Sequence, residues 1–372
     1  MIAYFDNSST TKPCPEAVEA VNHALCDGWG NPSSLHRLGI EASRLLQQSR
    51  LSVAEALGAQ ADRVFFTSGG TEADNWALFS AAQRLGKQGR HIVSTAVEHH
   101  AVLHPLQQLE ARGFDVTYLK PDANGQVSLT QLAQALRPDT ILVSIMMVNN
   151  ETGAVMPIEK MAKLTHQRCP NALFHTDAVQ GFCKIPFRAG TLGADMISVS
   201  AHKIHGIKGA GALYLRPNLT LPSLLLGGGQ ERNYRSGTEA LPAIAAFGAA
   251  CKAGNLRADI AEMTRLRNLA QDGLRKMDGV VLLGAQQAPH IINLSVPGVR
   301  SQGLINCLQD QGVYVSAGSA CAKGHRSHVL EACGIAPELI DGSIRVSLCR
   351  FTTEAEVAQL LCALQQAIAQ LR

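Results

Sequence analysis

Six short runs of unbroken apolar character, separated by stretches with helical spacing, constrain this chain more than any other feature. The runs cover residues 63–67, 91–95, 140–148, 172–176, 195–200 and 210–215. A strand that alternates apolar and polar residues keeps one face in water, whereas a strand apolar throughout is covered on both faces, as in a parallel sheet between helix layers. Helical patterns fall between the runs: 15–25, where Val18, Val21 and Leu25 share one face, and 71–85. The alternation predicts an α/β fold with a mostly parallel, doubly wound sheet, whose ligands bind at the carboxyl ends of the strands.

At 372 residues the chain exceeds one ordinary core, which stops growing near roughly 250–300 residues. The pattern changes near residue 250. A helix is expected over 256–277, short strands over 280–283 and 290–295, and a Gly/Ser/Ala-rich stretch follows at 316–322. Thr353 and Glu356 form a capping box ahead of a helix whose Val357, Leu360, Leu361, Leu364 and Ile368 lie on one stripe. This half reads as a smaller α+β domain.

Several function classes are disfavoured. A net charge of +3, with no Lys/Arg block longer than two, supplies no field for nucleic acid or an anionic membrane. The ten cysteines show no Cys-x-x-Cys spacing, so neither a zinc site nor a disulfide framework is expected, and no metal is assigned. With no basic and apolar leader at the N-terminus and no run of the ~18–20 apolar residues that a membrane span requires, a cytoplasmic protein with reduced thiols is expected.

The chemistry centres on Lys203, set between an apolar strand run and a glycine-rich run leading into another strand. A lysine amine in a partly desolvated pocket loses its proton and can form a Schiff base with an aldehyde such as pyridoxal phosphate. That cofactor asks also for an anion at its ring nitrogen, donors for its phosphate and a flat group against its ring. Asp177 closes the run 172–176 and suits the ring nitrogen, though an Asp there equally suits a helix N-cap. Ser68-Gly-Gly-Thr-Glu72, with Gly70 and Thr71, is a strand-to-helix turn that offers unpaired N–H groups to a phosphate. Ser200 and His202 flank the lysine and add donors. A second glycine-rich segment, 227–238, carries two arginines and Thr238 and reads either as a phosphate contact approached from outside or as a flexible surface loop. His99, in Glu98-His-His100, could lie against the ring or be structural.

Together these segments closely resemble the NifS/IscS-type cysteine desulfurases, which are fold-type I pyridoxal-phosphate enzymes of the class V aminotransferase superfamily. The resemblance runs in order through Tyr4-Phe-Asp-Asn-Ser-Ser-Thr-Thr11, Gly30-Asn-Pro-Ser-Ser-Leu-His36, Thr67-Ser-Gly-Gly-Thr-Glu72, Glu98-His99, Val148-Asn-Asn-Glu-Thr-Gly153, Asp177-Ala-Val-Gln180, Ser200-Ala-His-Lys203, Arg235-Ser-Gly-Thr238, Ser316-Ala-Gly-Ser-Ala-Cys321 and Ile344-Arg-Val-Ser-Leu348. It implies a large domain over 15–250 with a mostly parallel seven-stranded sheet between helices, and a small domain formed by 1–14 and 251–372. It further implies Lys203 as the Schiff-base lysine, Asp177 as partner of the ring nitrogen and His99 as the stacking imidazole and acid–base group. Asn150 and Gln180 would bond near substrate and ring, and Gly70, Thr71, Ser200 and His202 would hold the phosphate. Thr238 would reach the phosphate of the other subunit of a homodimer, and Arg345 would clamp the substrate carboxylate with its fork.

Within the resemblance, Cys321 decides the reaction. It lies among small residues and is followed by Lys323, His325 and Arg326, whose charge favours the thiolate. The other nine cysteines sit mostly in apolar patterns that suit inert thiols, with Cys183 the nearest rival. The implied reaction takes L-cysteine to L-alanine and leaves a persulfide on Cys321, whose sulfur passes to an acceptor protein for iron–sulfur cluster assembly or for tRNA or cofactor thiolation. The same scaffold could instead serve another class V enzyme, an aminotransferase or selenocysteine lyase, or a silent sulfur-delivery scaffold. Two departures from the family pattern stand out: five residues separate Cys321 from Ser327, fewer than is common, and Ala201 stands where Gly is common.

Overall fold

The computed structural model of the chain describes residues 2–317 and 326–372. At its centre is a seven-stranded sheet in the order Val64–Thr67, Gly211–Leu215, Met196–Ser200, Leu173–Asp177, Thr140–Ser144, His91–Thr95 and Asp115–Leu119. The strand Gly211–Leu215 runs antiparallel to both neighbours, and every other neighbouring pair is parallel.

All six apolar runs are strands, and the covered-on-both-faces argument explains them residue by residue. Phe65, Ile92, Leu142, Leu173, Met196 and Leu213 pack on one side of the sheet with Trp76 and Leu106. Val64, Phe66, Val93, Val143, Phe174, Ile197 and Ala212 pack on the other, against helices that include Leu241–Ala253. The run 140–148 pairs in the ladder only as Thr140–Ser144; beyond it Ile145 and Met147 still donate to the carbonyls of His175 and Asp177.

The seven-stranded sheet is as expected, but one of its strands has no mark in the sequence and one helix turns a different face inward than its spacing predicts. The seventh strand, Asp115–Leu119, has no apolar run because it is an edge: Asp115 is exposed and the next three residues are half-buried. The helix Pro15–Cys26 does not bury the predicted face. Ala17 and Ala24 are buried, while Val18 is 46% and Leu25 58% exposed. Small side chains let this helix approach Leu241–Ala253 closely, and the larger ones are left outside.

A second core forms around an antiparallel three-stranded sheet, Val281–Leu283, Ile291–Ser295 and Ser343–Ser347, joined by Ala3 and Phe5 from the other end of the chain. The helix Leu256–Leu274 packs here and ends a little earlier than expected. The capping box at Thr353 and Glu356 is present, and Val357, Leu360, Leu364 and Ile368 of the helix Glu354–Leu371 are buried. No described helix is long and apolar enough to cross a membrane.

The glycine-rich segment 227–238 is tied down rather than free. Arg50 and Glu231 form a buried two-pronged ion pair at 2.7 Å, and Glu231 also accepts the Phe66 N–H at 2.9 Å. Glu231, Arg232 and Asn233 hold positive φ of 46°, 56° and 67°. Such strain, about 1 kcal/mol or more per residue, persists only where surroundings over-determine it. The ion pair does so, since losing one partner of a buried pair costs on the order of 3–5 kcal/mol.

Candidate active site

The carboxyl ends of the parallel strands converge on a cavity of about 350 Å³. Gly70 and Thr71 follow Val64–Thr67, His99 follows His91–Thr95, and Asn150 follows Thr140–Ser144. Asp177 ends Leu173–Asp177, with Gln180 just after it, and Ser200, His202 and Lys203 follow from Met196–Ser200. Arg345 enters from the second core, on the strand Ser343–Ser347. All of these predicted residues line the one cavity. Thr238 does not: it is exposed, outside the cavity. Cys321 lies outside the described residues.

Lys203 Nζ donates to the carbonyls of Ser8 at 2.7 Å and Ser9 at 2.6 Å. Burial, with the charge of Arg345 second, pushes its pKa down to about 8. Neutral amine is thus a minority near physiological pH but a far larger fraction than in an ordinary lysine, as a nucleophile or base requires. Loading of the apoprotein with pyridoxal phosphate is therefore expected to speed up about tenfold per pH unit below pH 8 and to level off above it. Following absorbance after mixing checks this; a rise continuing to pH 10 would show an ordinary lysine.

Asp177 is buried, and burial followed by the field of Asp74 pushes its carboxyl up to about 7. Its Oδ1 accepts the Val179 N–H at 2.8 Å, so it does cap the following turn, as the alternative reading held, while still lining the cavity. Asp74, also pushed up to about 7 by burial, lies 3.5 Å from His175 Nε2. Two buried carboxyls in mutual repulsion would gain from a cation, and a protonated ring nitrogen is one.

At the other end of the cavity the helix Gly70–Leu85 presents its N-terminus. The backbone is packed so tightly that a Cβ on Gly70 would lie 2.7 Å from Val179 Cγ2, and one on Gly211 2.6 Å from the Gly69 carbonyl carbon. Beside it Ser200 Oγ is buried without a hydrogen-bond partner. An orphaned hydroxyl at a helix N-terminus fits an oxyanion. Glu72, in the first turn, is drawn away from this space: burial would raise it, but bonds from Arg235 and Ser68 outweigh that and hold it low. His202 bonds Thr10 Oγ1 at 3.2 Å and is kept neutral by burial, at about 4.

His99 caps the helix His100–Ala111, its Nδ1 accepting the Ala101 N–H at 3.1 Å. Burial, then the charge of Lys203, pushes it down to about 4. The neutral ring therefore carries its proton on Nε2, and the donor half of the expected acid–base role is what this geometry supports. Gln180 donates from Nε2 to the Ser8 carbonyl at 2.8 Å. The buried Arg345 is positioned by Asp6 at 3.0 Å, Ser9 Oγ at 2.7 Å and the Asn150 carbonyl at 2.9 Å, leaving its Nε buried and unpartnered. A carboxylate would thus meet a guanidinium already held on one side.

The carboxylate end, the amine, the imidazole and the anion cradle together fit pyridoxal phosphate. Sequence reasoning did not single out Asp74, Glu98, Ser8 or Ser9. Glu98 is fully buried, accepts from Thr95 Oγ1 at 2.7 Å and the Met146 N–H at 2.9 Å, and is pushed up to about 8 by burial. Asp74 left a faint signal, an acid amid Ala73, Trp76 and Ala77; Ser8 and Ser9 meet Lys203 through their carbonyls, which carry no side-chain signature, although Ser9 Oγ also holds Arg345. The expectation of inert thiols holds for Cys14, Cys169 and Cys333, which are buried with pKa values raised by burial, but Cys26 and Cys362 are exposed.

The family model for Aminotransferase class-V matches residues 3–360. A cysteine desulfurase of Trichormus azollae is 42% identical, the alignment covering all of this chain and 94% of that protein. Cysteine desulfurase IscS of Methanosarcina thermophila is 39% identical over 99% of this chain and 92% of its own length. Among solved structures, a NifS-like protein superposes with a TM-score of 0.94 at 36% identity, covering both chains entirely. With that similarity spanning both cores and every segment that lines the cavity, the chain belongs to the class-V aminotransferase family, among its cysteine desulfurases.

Proposed function

We propose that this cavity converts L-cysteine to L-alanine and passes the sulfur to Cys321, with a division of labour among its residues that follows from their settings. The observation that carries the reading is Lys203: a buried amine pushed down to about 8, between a buried acid and an anion cradle. When bound, pyridoxal phosphate supplies an electron sink for the substrate α-carbon. Asp177 would hold the cofactor's ring nitrogen, Gly70, Thr71, Ser200 and His202 its phosphate, and Lys203 its aldehyde carbon.

Lys203 also stands as the base for the α-proton, its amine already lowered toward the neutral form. Arg345, steadied by Asp6 and Ser9, receives the substrate carboxylate, with Asn150 and Gln180 alongside. His99 offers its Nε2 proton toward the substrate sulfur. The Cys321 thiolate attacks that sulfur: an S–S bond forms, the C–S bond breaks, and its electron pair stays on the carbon side until protonation completes alanine. A dithiol reductant or an acceptor protein's thiol then takes the sulfur from Cys321.

The active unit in this reading is a homodimer in which Thr238 of one subunit reaches the cofactor phosphate of the other. In its support, Thr238 is exposed at the end of the clamped segment 227–238, Leu226 just before that segment is 90% exposed, and Leu35 is 94% exposed. The physiological acceptor is proposed to be a protein of iron–sulfur assembly or thiolation.

The test supplies L-cysteine and dithiothreitol and assays both products. Equal amounts of sulfide and alanine are expected; alanine without sulfide, or neither, would sink the reading.

A further inference from the structure

A second cavity, of about 580 Å³, shares Lys203 with the active site and is lined also by Lys184, Arg188, His205 and Arg350. Its acids are Glu55 and Asp259. Lys184 is 5% exposed, and its Nζ donates to a neutral acceptor, Gln180 Oε1, at 3.2 Å. Arg350 keeps Nε and Nη2 buried with no hydrogen-bond partner. Among the described residues neither cation has a carboxylate within ion-pair distance. Asp259 comes near, since its Oδ2 and Arg350 Nη1 would lie 3.3 and 2.6 Å from a Cβ on Gly254, but that oxygen accepts the Asn255 N–H at 3.1 Å.

Burying a cation without an anion costs several kcal/mol per ion. Burial already pushes Lys184 down to about 7, leaving it poised to regain its proton beside a negative charge. Arg350 is half-buried, its guanidinium 5.0 Å from the Phe351 ring and within the field of Asp259, but two of its nitrogens still lack a partner; an anion from solution would supply one, and the cavity has room for it.

We propose that this cavity is a binding site for a small oxyanion, of the carboxylate, phosphate or sulfate type, held between Arg350 and Lys184. Its occupancy is felt in the active site through hydrogen bonds. Lys184 Nζ holds Gln180 Oε1, Gln180 Nε2 holds the Ser8 carbonyl at 2.8 Å, and Lys203 Nζ shares that carbonyl at 2.7 Å. The binding itself does not depend on the desulfurase reading.

The test titrates cofactor-loaded protein, whose phosphate cradle is already filled, with sodium sulfate, phosphate or acetate by calorimetry, against sodium chloride at equal ionic strength. One saturable site per chain is expected for at least one oxyanion, weakened about tenfold or more in Arg350→Gln and in Lys184→Gln but unchanged in Arg345→Gln. The three anions separate carboxylate from phosphate or sulfate chemistry. No saturable binding to any of them, or binding lost in Arg345→Gln and kept in Arg350→Gln, would overturn the proposal. A readout on the unaltered protein guards against misfolded variants: the bound anion should slow alkylation of Cys183, which lines this cavity, severalfold relative to Cys26 on the surface. Equal rates with and without the oxyanion that shows the strongest heat would also overturn it.

Discussion

Lys203→Ala is expected to lower turnover of L-cysteine by about 10³-fold or more and to abolish the borohydride-stable link between cofactor and protein. The size follows from two losses at once, the covalent anchor and the base for the α-proton. No neighbour can take over. Lys184 has a similarly lowered pKa, about 7, but its Nζ is committed to Gln180 and it faces the second cavity, absent from the lining of the first. Lys203→Arg should fare no better, because a guanidinium stays protonated and cannot act as nucleophile or base. Turnover within tenfold of wild type in either variant would remove Lys203 from the centre of the mechanism.

The second large effect is that of Cys321→Ala. Sulfide and alanine production under dithiothreitol should fall about 10²-fold or more, while cofactor affinity and spectrum stay as in wild type. Among the described residues no thiol lines the active-site cavity. Cys183 and Cys251 open onto the second cavity, and Cys349 does too. Cys251 and Cys349 are raised in pKa by burial, which suppresses the thiolate. Cys26 ends the helix Pro15–Cys26, and Cys362 lies on Glu354–Leu371, neither near the strand ends. Cys321 has both described flanks at the site: Ser316 pairs with Arg345 through its backbone, N–H to carbonyl at 3.1 Å, and His328 lines the cavity. Retained turnover in Cys321→Ala would point to a class V enzyme without thiol chemistry.

Much of this was legible in the sequence for one physical reason: strands covered on both faces are apolar throughout, and the residues just beyond them fall at one edge of a parallel sheet. Lys203, Asp177 and His99 could be picked out on that ground alone. The edge strand Asp115–Leu119 could not, because half its surface is wet. Nor could the inward face of Pro15–Cys26, where alanines were chosen for close helix approach and Val18 was left outside. Buried acids such as Asp74 and Glu98 were hidden because the groups that bond them, Ser198 and the Met146 N–H, lie far along the chain. Arg345 was visible, but its setting depends on Asp6 and Ser9, more than 330 residues away.

The central claim is that sulfur leaves L-cysteine for one thiol. Cofactor-loaded protein given one equivalent of L-cysteine without reductant, then alkylated and digested, reports this directly by peptide mass. The peptide containing Cys321 should carry one additional sulfur atom, in an amount matching the alanine formed, with none on the other nine cysteines. Alanine formed with the extra sulfur on Cys183, or with no protein-bound sulfur at all, would contradict the account.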